Sequence, residues 1–362
     1  MSVAITPELL ETRAVQDTMQ AAVLYGKEDV RLEAVPVPAI GPGELLVRVR
    51  AALTCGTDIK VFRRGYHAKM IRPPALFGHE MAGDVVAVGE GLPNFQVGQR
   101  VVAANSAPCD RCFFCLHNQQ NLCEDLLFNN GAYAEFIRLP RRIVQKNTYR
   151  IPSGLEYKDA ALAEPLACVL RGLDESRLQS GDTVAVMGLG PIGLMFVRLA
   201  KAAYAARVIV LARRLEQIDR AMMLGADEGI LMGNSSALIQ ELKARTGGRG
   251  PDVVIEAIGN PSMWELAPQL VRRGGTVNFF GGCPSGTKVG LDTALLHYSE
   301  ITCKASFHHT PAHIRRSLQL IAEGKVTATH LVNHEEPLNR LPQVLHDLAN
   351  SRNGQIKTAI IP

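Results

Sequence analysis

Four thiols crowd one loop of this chain, Cys109, Cys112, Cys115 and Cys123, at the spacing C-x2-C-x2-C-x7-C. A loop this short can wrap four sulfurs tetrahedrally around one Zn²⁺ with no position left open, so the expected site is structural rather than catalytic. Thiolates bind only once deprotonated, so metal affinity is also folding energy for the loop. Two disulfides or an iron–sulfur cluster would use the same residues. Zinc is preferred because nothing else in the chain points to an oxidising compartment.

A second constellation is built from glycines. Val184-Ala-Val-Met-Gly188-Leu-Gly190-Pro191-Ile192-Gly193 sets G-x-G-x-x-G between an apolar strand and the helix that follows it. That context raises a weak pattern to a dinucleotide site. Gly188 permits the tight turn, Gly190 lets the backbone approach a pyrophosphate, and Gly193 packs helix on strand. The helix that starts at Pro191, which has no N–H of its own, then turns the free N–H groups of Ile192 and the rest of its first turn toward the phosphates. A glycine turn that merely closes a βα unit is the competing reading.

The end of the next strand reads Val210-Leu211-Ala212-Arg213-Arg214. Ala212 stands where a carboxylate usually holds the ribose 2′-hydroxyl of NAD, and two guanidiniums suited to a 2′-phosphate follow. NADP is therefore expected over NAD, which stays possible if Arg213 and Arg214 are only solvated.

Cys55-Gly-Thr57-Asp58 and Gly78-His79-Glu80 lie outside the four-cysteine loop. Thiolate, imidazole and carboxylate are all zinc donors, and a catalytic site needs about three with one position open. Alone, these residues also fit a buried thiol and a satisfied histidine.

The elements that must position these groups show two textures. From Ala21 to about Ile151, β-rich runs (Leu45–Val49, Asp84–Val88, Arg100–Ala103, Glu135–Leu139) are separated by Gly and Pro, which predicts a β-barrel-like domain. From about Ser180 to Gly281, strands over 183–187, 208–211, 253–257 and 276–280 alternate with helices over 192–203, 215–224 and 236–245. Ser262 and Glu265 suggest a capping box for one more helix. This alternation predicts a parallel, doubly wound sheet, so the class is α/β with two domains. Residues 357–361 read as a last strand, and Cys283 and Cys303 as buried small apolar residues.

With 362 residues, 47% apolar, the chain can fill two cores. A net charge of +4 with no long basic run argues against nucleic acid. No run approaches membrane-spanning length and no signal peptide is apparent, so a cytoplasmic enzyme is expected.

Taken in order, Cys55-Gly-Thr57-Asp58, Gly78-His79-Glu80-x2-Gly83-x5-Gly89, the cysteine lobe and Gly188-Leu-Gly190-Pro-Ile-Gly193 resemble the zinc-dependent medium-chain alcohol dehydrogenases from about Ala21 onward. The resemblance implies a GroES-like catalytic domain over 21–167 and 309–362, a Rossmann domain over 168–308, and an extension over 1–20. It also implies two zinc ions, one catalytic and one structural, and a small-molecule alcohol or ketone substrate. A homodimer or homotetramer is implied too, through an edge strand drawn from Val277–Gly281 and the stretch Leu291–Phe307.

The segment Ala163-Glu164-Pro165-Leu166-Ala167 is similar to the polyol, sorbitol-type branch. By that resemblance Cys55, His79 and Glu164 surround the catalytic zinc, with Glu80 as ligand or exchange partner and Cys168 a core residue. Zinc in such a site is a Lewis acid that lowers the pKa of a substrate hydroxyl before hydride passes to the nicotinamide. Thr57 matches the relay hydroxyl. Many relatives place a histidine five residues after the ligand cysteine; here it is Lys60, which could accept a proton, touch a phosphate or point into water. Ile258, Gly259, Gly281 and Gly282 match positions bordering the nicotinamide.

The basic, aromatic segment Lys60–Lys69 either lines the cleft mouth or is a solvated loop. Phe307-His308-His309 lies near the expected nicotinamide position, where one histidine could bond substrate hydroxyls. The implied substrate is a secondary alcohol of a polyol, sugar alcohol or cyclitol. A threonine-type amino alcohol, a metal-free quinone or enone reductase, and a silent nucleotide-binding relative are the alternatives.

Overall fold

The structure, a computed structural model, describes residues 17–67, 69–204, 206–350 and 354–362. Most of the expected extension lies outside these residues. Its last three, Thr18–Gln20, already belong to the first strand, Thr18–Gly26, which pairs antiparallel with Asp29–Pro36.

The barrel half is organised around Leu45–Leu53, a strand whose apolar residues are buried on both faces. Such a strand must be covered on both sides. It pairs antiparallel with Met81–Val88, Phe136–Leu139 and Thr358–Ile361. Thr358–Ile361 in turn pairs parallel with His334–Pro337, so the end of the chain completes the sheet begun by its first half. That return was implied by the resemblance; no local pattern reveals it.

The second half is a six-stranded parallel sheet. Its order across the sheet is Glu228–Leu231, Arg207–Ala212, Thr183–Met187, Val253–Glu256, Thr276–Phe279, Thr302–Ala305. The order reverses beside Thr183–Met187, and a ligand crevice opens at such a switch point, outside the carboxyl ends of the strands. The helices Pro191–Tyr204 and Pro261–Leu270 each begin with proline, whose fixed φ and missing N–H suit a first helical position.

The helix Ala163–Glu175 joins the halves. Pro165 sits in its first turn, where no N–H is required of it, and Ala163–Ala167 and Val169–Leu173 are buried. The expected division at 167/168 falls inside this helix. One apolar cluster runs from Leu53, Ala82 and Val102 of the barrel, through Leu162, Leu166 and Leu170, to Val184, Leu194 and Val210 of the parallel sheet.

Four expectations change. Asn260, not Ser262, caps its helix: Asn260 Oδ1 accepts from the Ser262 amide at 3.0 Å, because Pro261 takes the first helical position. Thr276–Phe279 is an interior strand, and the edge is Thr302–Ala305, preceded by the short helix Thr293–Tyr298. Cys303 is exposed because it stands on that edge, and Cys283 is only half-buried. The helix Gly56–Arg64 and the strand Glu228–Leu231 had no strong periodic signal. Among the described residues no helix is long and apolar enough to cross a membrane.

Candidate metal and nucleotide site

Cys55 caps the helix Gly56–Arg64. Its sulfur accepts from the Thr57 amide at 3.4 Å, and Asp58 Oδ2 accepts from the Cys55 amide at 3.0 Å. The same Asp58 is shared three ways. Its Oδ1 lies 2.9 Å from His79 Nδ1, and the Tyr133 hydroxyl donates to Oδ2 at 2.6 Å. A carboxylate on Nδ1–H fixes the tautomer that leaves Nε2 free as a ligand. Burial pushes the Asp58 carboxyl up, but His79, Tyr133 and the Cys55 amide outweigh it and hold it below its ordinary value. Burial likewise opposes a charged His79, yet Asp58 and the Cys55 sulfur hold the imidazole well above its usual range. This pocket favours positive charge, and a dication can take the proton's place. Asp58 lies within the Cys55-Gly-Thr57-Asp58 motif but had no role assigned from sequence alone, because its contact with His79 joins segments 21 residues apart.

Glu80 is wholly buried. Lys357, itself buried, donates to Glu80 Oε2 and to the Thr54 carbonyl, both at 2.6 Å. Among the described residues, Glu80 Oε1 has no partner. Burial raises this carboxyl to about 7 against the pull of Lys357 and His79. Donor atoms of Cys55, His79 and Glu80 lie within 4.8 Å of one another. A thiol, an imidazole and an orphaned carboxylate oxygen converging this way fit a zinc ion with room for one more ligand.

Glu164 falls in a neighbouring group with Cys168 and His308, whose donor atoms also lie within 4.8 Å of one another. Its Oε1 faces His309 Nε2 at 3.5 Å. Burial raises the Glu164 carboxyl, but His309, His79 and His308 together hold it well below the usual range. The structure thus groups Glu80, rather than Glu164, with Cys55 and His79. It also brings Cys168, expected as a core residue, to 3.9 Å from Glu164 Oε1.

In the lobe, Cys109 Sγ lies 4.0 Å from Cys115 Sγ, and Cys112 Sγ lies 3.9 Å from Cys123 Sγ. Zn–S bonds of about 2.3 Å give a tetrahedron with edges of about 3.8 Å. The sulfurs are far beyond the roughly 2.05 Å of a disulfide. All four lie within 4.8 Å of one another, so the lobe fits a closed zinc site. Backbone N–H groups, that of Arg111 foremost, draw the Cys109 thiol down to about 6, toward the thiolate that metal requires.

The nucleotide turn follows Thr183–Met187. Gly188 has φ 90°, and a Cβ there would strike Ile258 Cγ1 at 2.4 Å. A Cβ at Gly193 would meet the Gly188 carbonyl at 1.8 Å, so only glycine lets the helix approach this closely. Gly190, Pro191 and Ile192 complete the turn and the helix start. Two loops abut beside it, carrying Ile258 and Gly259, and Gly281 and Gly282. Buried Glu256 accepts from the Ile258 and Gly259 amides at 2.8 and 2.9 Å, and Trp264 Nε1 donates to the Gly281 carbonyl at 2.9 Å. Lys60 Nζ reaches across to the Gly282 carbonyl at 3.2 Å. Arg213 and Arg214 are exposed just past Ala212 and, among the described residues, meet no carboxylate. In the basic segment Arg63, Arg64 and Tyr66 face solvent, while Lys69 Nζ sits 5.7 Å from the Phe307 ring centroid.

Both halves of the chain match known proteins. Residues 41–152 match the alcohol dehydrogenase GroES-like domain and residues 191–323 the zinc-binding dehydrogenase domain. The chain is 32% identical to a sorbitol dehydrogenase of Bacillus subtilis, over 97% of this chain and 99% of that one. It is also 32% identical to an erythritol/L-threitol dehydrogenase of Mycolicibacterium smegmatis, over 96% and 99%. A Sinorhizobium meliloti chain described as a zinc-binding dehydrogenase and solved bound to NADP superposes with a TM-score of 0.87. It is 31% identical, over 96% of this chain and 100% of that one. Both halves and the full length being matched, the chain belongs to the zinc-dependent, NAD(P)-dependent medium-chain alcohol dehydrogenases, in their polyol branch.

Proposed function

We propose that the chain oxidises a secondary hydroxyl of a polyol, sugar alcohol or cyclitol with NADP, and runs the ketone reduction in reverse. One observation carries the reading: beside the Cys55, His79 and Glu80 donors stand Glu164, His308 and His309, which form hydrogen bonds where a simple alcohol would need an apolar wall. The activities of the sorbitol and erythritol/L-threitol relatives support it.

Cys55, His79 and Glu80 would hold the catalytic zinc, and Cys109, Cys112, Cys115 and Cys123 the structural one. The catalytic zinc, when bound, supplies the Lewis acid that lowers the pKa of the alcohol. Thr57, held against the Cys55 sulfur through its amide, accepts and passes on the proton, since a hydroxyl both accepts and donates. Glu164 and the two histidines orient the neighbouring hydroxyls. The loops at 258–259 and 281–282 border the nicotinamide and hold it facing the alcohol. Lys60 positions one of these loops through the Gly282 carbonyl. Arg213 and Arg214 take the 2′-phosphate, and the NADP of the Sinorhizobium meliloti neighbour supports that choice.

Thr302–Ala305 leaves a fully exposed sheet edge, and a second copy pairing along it gives a homodimer or the half of a homotetramer. The thiols, spaced for metal rather than for disulfides, favour the cytoplasm.

Initial rates over a panel of polyols, amino alcohols and simple alcohols, with each nicotinamide cofactor, test the reading. A polyol with NADP should give the highest kcat/KM, and removing one bonded hydroxyl should cost on the order of 10⁴-fold. Preference for a threonine-type amino alcohol would overturn the substrate, preference for NAD the cofactor, and full activity after complete removal of both zincs the whole scheme.

A further inference from the structure

We propose that Glu164, Cys168 and His308 form a second transition-metal seat, separate from the Cys55, His79 and Glu80 set, whose occupation by zinc inhibits the enzyme. Glu164 and Cys168 are four residues apart on the helix Ala163–Glu175, a spacing that places both side chains on one face. Cys168 Sγ lies 3.9 Å from Glu164 Oε1. The third donor arrives from a different part of the chain, the loop between Thr302–Ala305 and Pro311–Ala322. His308 there holds φ 67°, in the left-handed region uncommon outside glycine. A hydrogen bond between Ser106 Oγ and His308 Nε2 at 2.6 Å fixes the ring, and the Phe307 and His309 rings stack or lean against it. One donor atom from each of the three residues lies within 4.8 Å of the other two.

The donor types select the metal. Thiolate with imidazole and carboxylate suits zinc and similarly soft cations, whereas magnesium and calcium want oxygen ligands alone. Cys168 has no part in the proposed hydride transfer, which leaves the sulfur available. The consequence for catalysis is competition. A metal gripped here removes Glu164 and His308 from the groups that would receive the substrate's hydroxyls, while the nucleotide turn at Gly188–Gly193 is untouched.

The test uses the holoenzyme with its catalytic and lobe zincs in place, titrated with further zinc chloride by calorimetry and, in parallel, by activity. One additional zinc per chain should bind, and inhibition should be competitive with the alcohol and not with the nucleotide; magnesium chloride should do neither. Cys168→Ala should keep the uninhibited kcat/KM while weakening zinc binding and inhibition at least about tenfold. His308→Gln, read by calorimetry alone, should weaken binding to a similar extent. Absence of an additional zinc, or wild-type zinc affinity in folded Cys168→Ala and His308→Gln, overturns the seat. Noncompetitive inhibition overturns its placement over the substrate groups. Because calorimetry needs no turnover, a failure here is distinct from a failure of the polyol assignment.

Discussion

A histidine can ligate a metal only if it presents a lone pair, and at His79 a neighbour arranges this. Asp58 accepts the Nδ1–H hydrogen bond at 2.9 Å, and Tyr133 and the Cys55 amide hold Asp58 in place. Asp58→Asn keeps the shape but replaces an acceptor-only carboxylate by an amide. Affinity for the catalytic zinc should then fall about 10- to 100-fold, with the lobe zinc unaffected, as read by metal analysis after dialysis against graded chelator. Glu80 and Lys357 pose the complementary problem. Two buried charges at 2.6 Å stabilise little when matched, but either one left alone is costly. Lys357→Met should destabilise the fold by about 3–5 kcal/mol in urea melts, and Glu80→Gln added to it should restore most of that loss. If the single variant matches the native midpoint, the buried pair is not a matched one.

Elements decide which of these contacts can be foreseen. The cysteine lobe and the glycine turn were readable because their chemistry is confined to one loop each, so spacing alone carries the geometry. Strand and helix positions around Thr183–Met187 and Pro191–Tyr204 followed from apolar runs for the same reason. Glu80 and Glu164 could not be ranked as ligands from spacing. Their surroundings differ through Lys357, 277 residues from Glu80 in the chain, and through how the helix Ala163–Glu175 is docked. Lys60 shows the same limit. Its place after Cys55 left a proton relay, a phosphate contact and solvent all open, and the helix Gly56–Arg64 carries its ammonium to the Gly282 carbonyl. On the function proposed above, a lysine spent on that carbonyl would position the loop that borders the nicotinamide. Lys60→Ala should therefore raise KM for NADP several-fold and leave the acid and base limbs of the kcat profile where they are. A displaced limb, with KM unchanged, would return Lys60 to the proton path.

At the scale of the molecule, the shared core matters more than the division into two domains. The helix Ala163–Glu175 buries one apolar cluster that includes Leu53 and Val102 from the barrel and Val184 and Leu194 from the parallel sheet. Opening the cleft at its base would expose that cluster, so neither half should unfold while the other stays native. Two reporters can follow the halves separately. Trp264, the single tryptophan, stacks on Phe279 at 4.2 Å and reads the parallel sheet by fluorescence. Release of zinc from the Cys109–Cys123 lobe to a coloured chelator reads the barrel half. Both signals should change at one urea midpoint. Leu170→Ala removes a wholly buried side chain at the junction and should lower stability by about 2–5 kcal/mol, moving both midpoints together. Were the fluorescence midpoint to shift alone, the junction would be a docking surface between independent domains, and the cleft's groups would owe their alignment to bound nucleotide instead.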